Sequence, residues 1–107
     1  MTSAEYTYTH QKLHNTMEPI ITSWIKLFNS TETIRAYTHD INIFKQYMME
    51  NNLQVENIKL QHLQTWQETI EPNKRRLIAA VKSFWKHCYN YGYINNDISR
   101  ILRIPPR

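Results

Sequence analysis

The single glycine of this 107-residue chain, Gly92, is the feature that most restricts its fold. The glycine-rich loops that bind phosphates need several glycines, and this chain has one. P-loop and Rossmann nucleotide binding are therefore excluded. Most of the tight hairpin turns of an all-β fold also depend on glycine. The hydrophobic content of 41% is enough for a modest core. We therefore expect one small domain of the all-α class.

Apolar residues recur at spacings of three and four, which predicts a compact bundle of four to five helices. The spacing places helices at about 17–28, 60–71 and 74–90, a second helix that begins after Ser30 or Thr31 and lasts until Asn51-Asn52, and a short last helix that ends at Leu102. Ser30 or Thr31 is expected to cap the second helix and Asn73 the fourth. Gly92 is expected to end the fourth helix in a left-handed conformation. Either Asn96 or Asp97 is expected to cap the last helix.

The chain divides into three parts by pattern. Residues 1–15 have no apolar period and are expected to form a flexible leader. Residues 16–104 form the helical domain, and residues 105–107 resemble the start of a linker. No basic start followed by an apolar run, and no run of about 20 apolar residues, is present. We expect a cytoplasmic protein with no membrane contact.

Charge is distributed unevenly along the chain, although the net charge is only +4. Residues 1–71 carry five bases and eight acids, which gives −3, whereas residues 72–107 carry eight bases and one acid, which gives +7. Such asymmetry is typical of a protein with a polyanionic partner, most often nucleic acid. A solvated basic surface is the alternative explanation.

The fourth predicted helix concentrates this positive charge. Its first turn and its exposed face contain no acid between residues 74 and 86. Arginine can donate two parallel hydrogen bonds to a phosphate or to guanine, and first-turn amides favour anions. We therefore predict that this helix contacts nucleic acid through Lys74, Arg75, Arg76, Lys82 and Lys86.

No set of residues has the pattern of a catalytic or metal site. His10 and His14 have the spacing of two metal ligands on a helix, but no further ligand accompanies them. His87 is adjacent to Cys88, yet neighbouring side chains on a helix point about 100° apart. Cys88 also falls on the apolar stripe, where an inert thiol is expected. We expect no enzyme activity of this chain alone, no catalytic residue, no metal and no cofactor.

Three stretches, in order, resemble the tyrosine recombinases, the family of the phage integrases. Residues 33–44 (TIRAYTHDINIF) resemble the family's helix T-x-x-x-Y-x-x-D-L-x-x-F. Residues 73–84 (NKRRLIAAVKSF) resemble its helix t-x-x-r-x-l-s-a-l-r-x-F. Residues 92–97 (GYINND) resemble its turn G-x-I-x-x-N-P, with Asp97 in place of the proline. The resemblance extends over about residues 17–105.

This resemblance is to the N-terminal, SAM-like core-binding domain alone. It implies a domain that binds duplex DNA at the core site of recombination. The family's catalytic His-x-x-Arg motif is missing, since no histidine here has an arginine three positions later. The implied partners are double-stranded DNA, the catalytic domain of the same parent chain and other recombinase protomers on DNA. By position, the resemblance adds Thr33, Arg35 and His39 to the DNA-contact residues. Asn73 is counted among them because it stands with the three cations at the start of the fourth helix.

Our main hypothesis is therefore a non-catalytic DNA-binding domain of an integrase from a mobile element. About five neutralised phosphates would give a log-log salt slope near −4 to −5. A helical protein-interaction module is one alternative and predicts association that is insensitive to salt. A small helical DNA-binding regulator is another and predicts a stable dimer.

Overall fold

Four α-helices and one 3₁₀-helix make up the protein, in a computed structural model that describes residues 3–107. The elements are α1 (Ser3–Ile25), α2 (Thr31–Glu50), α3 (Leu60–Glu68), α4 (Arg75–Asn90) and the 3₁₀-helix (Ile98–Ile101). No strand occurs among these described residues, and the predicted all-α class is confirmed.

α1 begins much earlier than the sequence predicts. The residues expected to form a leader, 1–15, are helical from residue 3 onward; residues 1 and 2 lie outside the described part. Leu13 and Met17 are fully buried and extend the apolar stripe of α1 towards its start. The Gln54 side chain also donates a 2.8 Å hydrogen bond to the Thr9 carbonyl. Pro19 consequently lies inside α1.

α2 begins and ends where the sequence predicts. The Ser30 hydroxyl accepts a 3.3 Å hydrogen bond from the Thr33 amide and caps its start. At its end, Asn52 adopts a φ of 54°, and the Leu53 amide reaches back to the Met48 carbonyl at 2.8 Å. This is the Schellman arrangement, in which a left-handed residue satisfies the last carbonyls of a helix.

α4 ends as predicted but begins differently. Gly92 has a φ of 81°, and the Tyr93 amide donates to the Cys88 carbonyl at 2.8 Å, so the left-handed end is confirmed. The expected cap by Asn73 is wrong, because Lys74 occupies the cap position and no side chain caps the first turn. Asp97 caps the 3₁₀-helix, accepting from the Ser99 amide at 3.2 Å.

The core is built around aromatic side chains that hold α2 against α4. Trp24 of α1 stacks on Tyr37 of α2 and meets Phe84 of α4 edge-on, with ring centroids 5.6 and 5.4 Å apart. Phe44 of α2 meets Trp66 of α3 edge-on at 5.0 Å. These contacts fix the relative position of α2 and α4, the two helices that carry the predicted DNA-contact residues.

Candidate nucleic-acid interface

The contact between α2 and the start of α4 brings separate parts of the sequence to one surface. His39 of α2 lines a groove of about 480 Å³ together with Asn73, Lys74 and Arg76. Arg35 precedes His39 by one turn on the exposed side of α2. We call these five residues the α2–α4 surface. Side chains of α2 and of the start of α4, more than 30 positions apart in the sequence, thus line one groove.

Asp40 lies in the floor of this groove and holds Arg76. Its carboxylate accepts hydrogen bonds from Arg76 Nε at 2.8 Å and from Nη2 at 3.0 Å. Asp40 is only 1% exposed, whereas the Arg76 side chain is 61% exposed. The hydrogen bond from Asp40 and its negative charge raise the pKa of the Arg76 guanidinium above its usual range.

Arg35, His39 and Lys74 have exposed side chains without hydrogen-bond or ion-pair partners among the described residues. Asn73 is exposed in the same way. Thr33 differs, because it is half-buried and its backbone amide is used by the Ser30 cap. Among the acids of the described residues, only Asp40 lines the groove, and Arg76 compensates its charge.

Lys82 does not point to solvent, although the sequence predicts a DNA contact for it. Its ammonium group donates to the Ser99 carbonyl at 3.0 Å and to the Leu102 carbonyl at 2.8 Å. These two carbonyls belong to the 3₁₀-helix and the residue after it. Lys82 therefore fastens the C-terminal segment to α4.

Arg75 acts on the same segment, because its Nε donates a hydrogen bond to the Pro105 carbonyl. On α3, the Gln67 side chain donates to the Arg103 carbonyl and accepts from the Arg103 amide at 3.0 Å. The three side chains of Gln67, Arg75 and Lys82, which we call the clasp, thus hold residues 99–105 along α3 and α4.

Lys86 is exposed but paired. Its ammonium group lies 2.7 Å from an Asp97 carboxylate oxygen and 5.4 Å from the centre of the Tyr89 ring. Burial opposes ionisation of Asp97, but hydrogen bonds from Lys86 and Ser99 outweigh it and lower the pKa of Asp97. Arg75, Lys82 and Lys86 thus have partners of their own, and none of the three lines the groove of the α2–α4 surface.

The histidine and cysteine candidates have structural surroundings. His10 contacts the Met49 carbonyl and His14 contacts Lys45, so the two do not converge on a common ligand position. Cys88 is buried, and burial raises the pKa of its thiol. Among residues 3–107 no three histidine, cysteine, aspartate or glutamate side chains are placed to share a metal ion. No helix in this range is long and apolar enough to cross a bilayer.

The family model of the phage integrase N-terminal SAM-like domain matches residues 24–91, which are 68 of the 107 residues. The chain belongs to this family. The match begins near the end of α1 and ends at the cap of α4, so the whole α2–α4 surface of the SAM-like domain lies within it. No curated protein and no solved structure matches the chain.

Asp40 is the site residue of this SAM-like domain that sequence reasoning missed. It falls beside Tyr37, Ile41 and Phe44 on the side of α2 that faces the core. A carboxylate at such a position requires a cationic partner, because an unpaired buried charge is strongly unfavourable. The burial pattern of α2 contained this signal, and the structure shows that Arg76 at the start of α4 is the partner.

Proposed function

We propose that this domain binds duplex DNA at the core site of site-specific recombination, as the non-catalytic N-terminal part of a tyrosine recombinase. The observation that carries the proposal is the α2–α4 surface, where His39, Asn73, Lys74 and Arg76 line one groove and Arg35 lies one turn before His39 on α2. All five residues lie within the region that the integrase model matches. The proposed partners are DNA, the catalytic domain of the parent chain and further recombinase protomers.

Two features of this surface suit a phosphate backbone. Lys74 and Arg35 carry charges that no acid of the described residues compensates. Lys74 also occupies the cap position of α4, where no side chain satisfies the first-turn amides. Amides at a helix start attract anions, so a phosphate near Lys74 would meet both an ammonium group and a partial positive charge.

The partners found for the other cations reduce the number of phosphates expected to be neutralised. Asp97 compensates Lys86 and Asp40 compensates Arg76, while Lys82 is occupied by two carbonyls. Two to three effective phosphate contacts remain in place of about five. The expected log-log slope of affinity against salt is therefore about −2 to −3.

Titration of the ¹⁵N-labelled domain with a mixed-sequence duplex at two salt concentrations tests the proposal. We expect shifts on the α2–α4 surface that weaken as salt rises. Replacing Arg35 and Lys74 by Gln should weaken binding about tenfold per residue at 0.05 M salt. Lys12→Gln is the matched control, because Lys12 lies on α1 and pairs with Glu56. Equal losses in the control, or no shifts at low salt, would contradict the proposed surface.

A second candidate function, protein interaction, is favoured by three exposed tyrosines at the other end of α4. Tyr89, Tyr91 and Tyr93 are 40%, 63% and 46% exposed. Tyr91, the cap of α4, lies about 22 Å along the helix from Arg76. Exposed tyrosines are enriched in protein interfaces. Self-association that is insensitive to salt and lost in Tyr91→Ser would support this role, and a monomer at all concentrations would count against self-association.

A further inference from the structure

We propose that Asp40 is a positioning residue that fixes the Arg76 guanidinium so that its free edge reads a guanine in the major groove. Arg76 would thereby supply sequence preference instead of general attraction to phosphates. This inference rests on the proposed DNA binding and assigns separate tasks to Arg76 and Lys74, which lie two positions apart at the start of α4.

The two hydrogen bonds between Asp40 and Arg76 determine which edge of the guanidinium remains free. A guanidinium has five N–H donors in one plane. Asp40 uses the edge formed by Nε and Nη2, at 2.8 and 3.0 Å. The opposite edge keeps one N–H on each of Nη1 and Nη2, and these two donors are parallel. Arg76 therefore retains one complete pair of donors.

That remaining pair matches the acceptors of guanine. The O6 and N7 atoms of guanine lie side by side in the major groove and accept two parallel hydrogen bonds from arginine. The Arg76 side chain is 61% exposed, so its free edge faces outward. Asp40 is nearly fully buried, so the orientation of the guanidinium is set from inside the domain. A guanidinium whose orientation is already fixed before binding loses less conformational entropy on binding than a freely rotating one.

The charge of the pair argues against a role as phosphate clamp. The carboxylate of Asp40 lies in direct contact with the Arg76 guanidinium and compensates its charge. Counterion release requires uncompensated cations, and Lys74 supplies one on the same groove. Arg76 keeps its hydrogen-bond donors but contributes little net attraction, which is the combination that base reading needs.

A purely structural ion pair is the competing explanation, and two variants distinguish it. Arg76→Lys keeps the charge and the pairing with Asp40 but removes the planar fork. Asp40→Asn keeps the fork but removes the compensating charge, so that Arg76 can turn towards a phosphate. Lys74→Gln is the matched control, because it removes a neighbouring charge without touching the pair.

The experiment selects bound sequences from a random duplex pool with the 107-residue chain and each variant, and measures salt slopes on one enriched duplex. The sequences enriched by the wild type should share a G·C pair at one defined position of the site. Arg76→Lys should reduce the preference at that pair about fivefold or more, with an unchanged slope. Asp40→Asn should reduce the same preference and steepen the slope by about 0.9. Lys74→Gln should make the slope shallower by about 0.9 and leave the preference intact.

Several results would overturn this inference. If Asp40→Asn weakened binding to all sequences equally without a steeper slope, Asp40 would be merely structural. If Arg76→Lys kept the wild-type preference, Arg76 would not read a base; this variant decides the matter even if Asp40→Asn fails to fold. Binding without any enriched sequence would refute base reading but leave the proposed DNA binding standing. Absence of binding by the wild type would refute the proposed function itself.

Discussion

Replacing Lys82 by Met should destabilise the domain without weakening DNA binding. The sequence places Lys82 among the DNA contacts, whereas its ammonium group donates to the Ser99 and Leu102 carbonyls at 3.0 and 2.8 Å. Methionine preserves most of the apolar stem and removes both donors. The two carbonyls belong to residues that are only 2% and 1% exposed, so solvent compensates them poorly.

The magnitude follows from the two lost hydrogen bonds. A hydrogen bond to a charged group contributes about 1.5–3 kcal/mol when buried, and Lys82 is half-buried. We therefore expect the free energy of unfolding to fall by about 2 kcal/mol. In a domain of this size, that corresponds to a Tm lower by about 8–16 °C.

Urea unfolding followed by tryptophan fluorescence measures the loss, since all three tryptophans are buried. Lys86→Met is the matched control: its salt bridge to Asp97 is half exposed, and removing it should lower the free energy of unfolding by about 0.5 kcal/mol. DNA affinity should change little in Lys82→Met. Unchanged stability, or a stable variant that no longer binds DNA, would refute the assignment of Lys82 to the clasp.

Three further outcomes are expected. Burial in the folded protein lowers the pKa of His87 below its ordinary value of 6.5. In acid the unfolded chain therefore binds more protons at His87 than the folded protein does. The contribution of neutral His87 to the free energy of unfolding is complete above about pH 6.5 and is lost as the pH decreases through the lowered pKa of the folded state. Urea midpoints at pH 7.5 and 5.5 should show this fall, and His87→Gln should reduce it. Cys88 should resist thiol reagents in the folded protein and react upon unfolding, because burial raises its pKa. Gly92→Ala should reduce the free energy of unfolding by about 1 kcal/mol, because its φ of 81° strains other residues; a chemical denaturation curve measures this.

Sequence patterns predicted the ends of α2 and α4 because those ends depend on local chemistry. Ser30 and Gly92 act through backbone groups within a few residues, which a sequence displays directly. The first half of α1 depends on distant contacts instead. Leu13 and Met17 are buried, and the Thr9 carbonyl accepts from Gln54, which is 45 positions away. A weak apolar stripe among polar residues does not predict that contacts with distant parts of the chain will stabilise this half of the helix.

The candidate site divides in the same way. The sequence shows where the basic side chains are, but it does not show which groups they bind. Several of them bind backbone carbonyls, and a carbonyl is present at every residue whatever its side chain. Lys82 reaches carbonyls 17 and 20 positions later, and Arg75 reaches one 30 positions later. Asp40 was the exception, since an acid on the core side of an amphipathic helix implies a cation opposite.

Pairing of the basic side chains has a consequence for how selective the proposed interface is. Affinity for any duplex comes mainly from uncompensated cations, whereas discrimination comes from donors held against base edges. Asp40 compensates the charge of Arg76, so Arg76 no longer counts among the uncompensated cations. The same contact fixes the donors of Arg76 for a base edge. Fewer phosphate contacts lower binding to all sequences alike, while the contribution of a fixed arginine applies only where a guanine is present. The ratio of specific to general binding therefore rises as absolute affinity falls, and under the proposed function further affinity would come from other domains linked to this one on the same DNA.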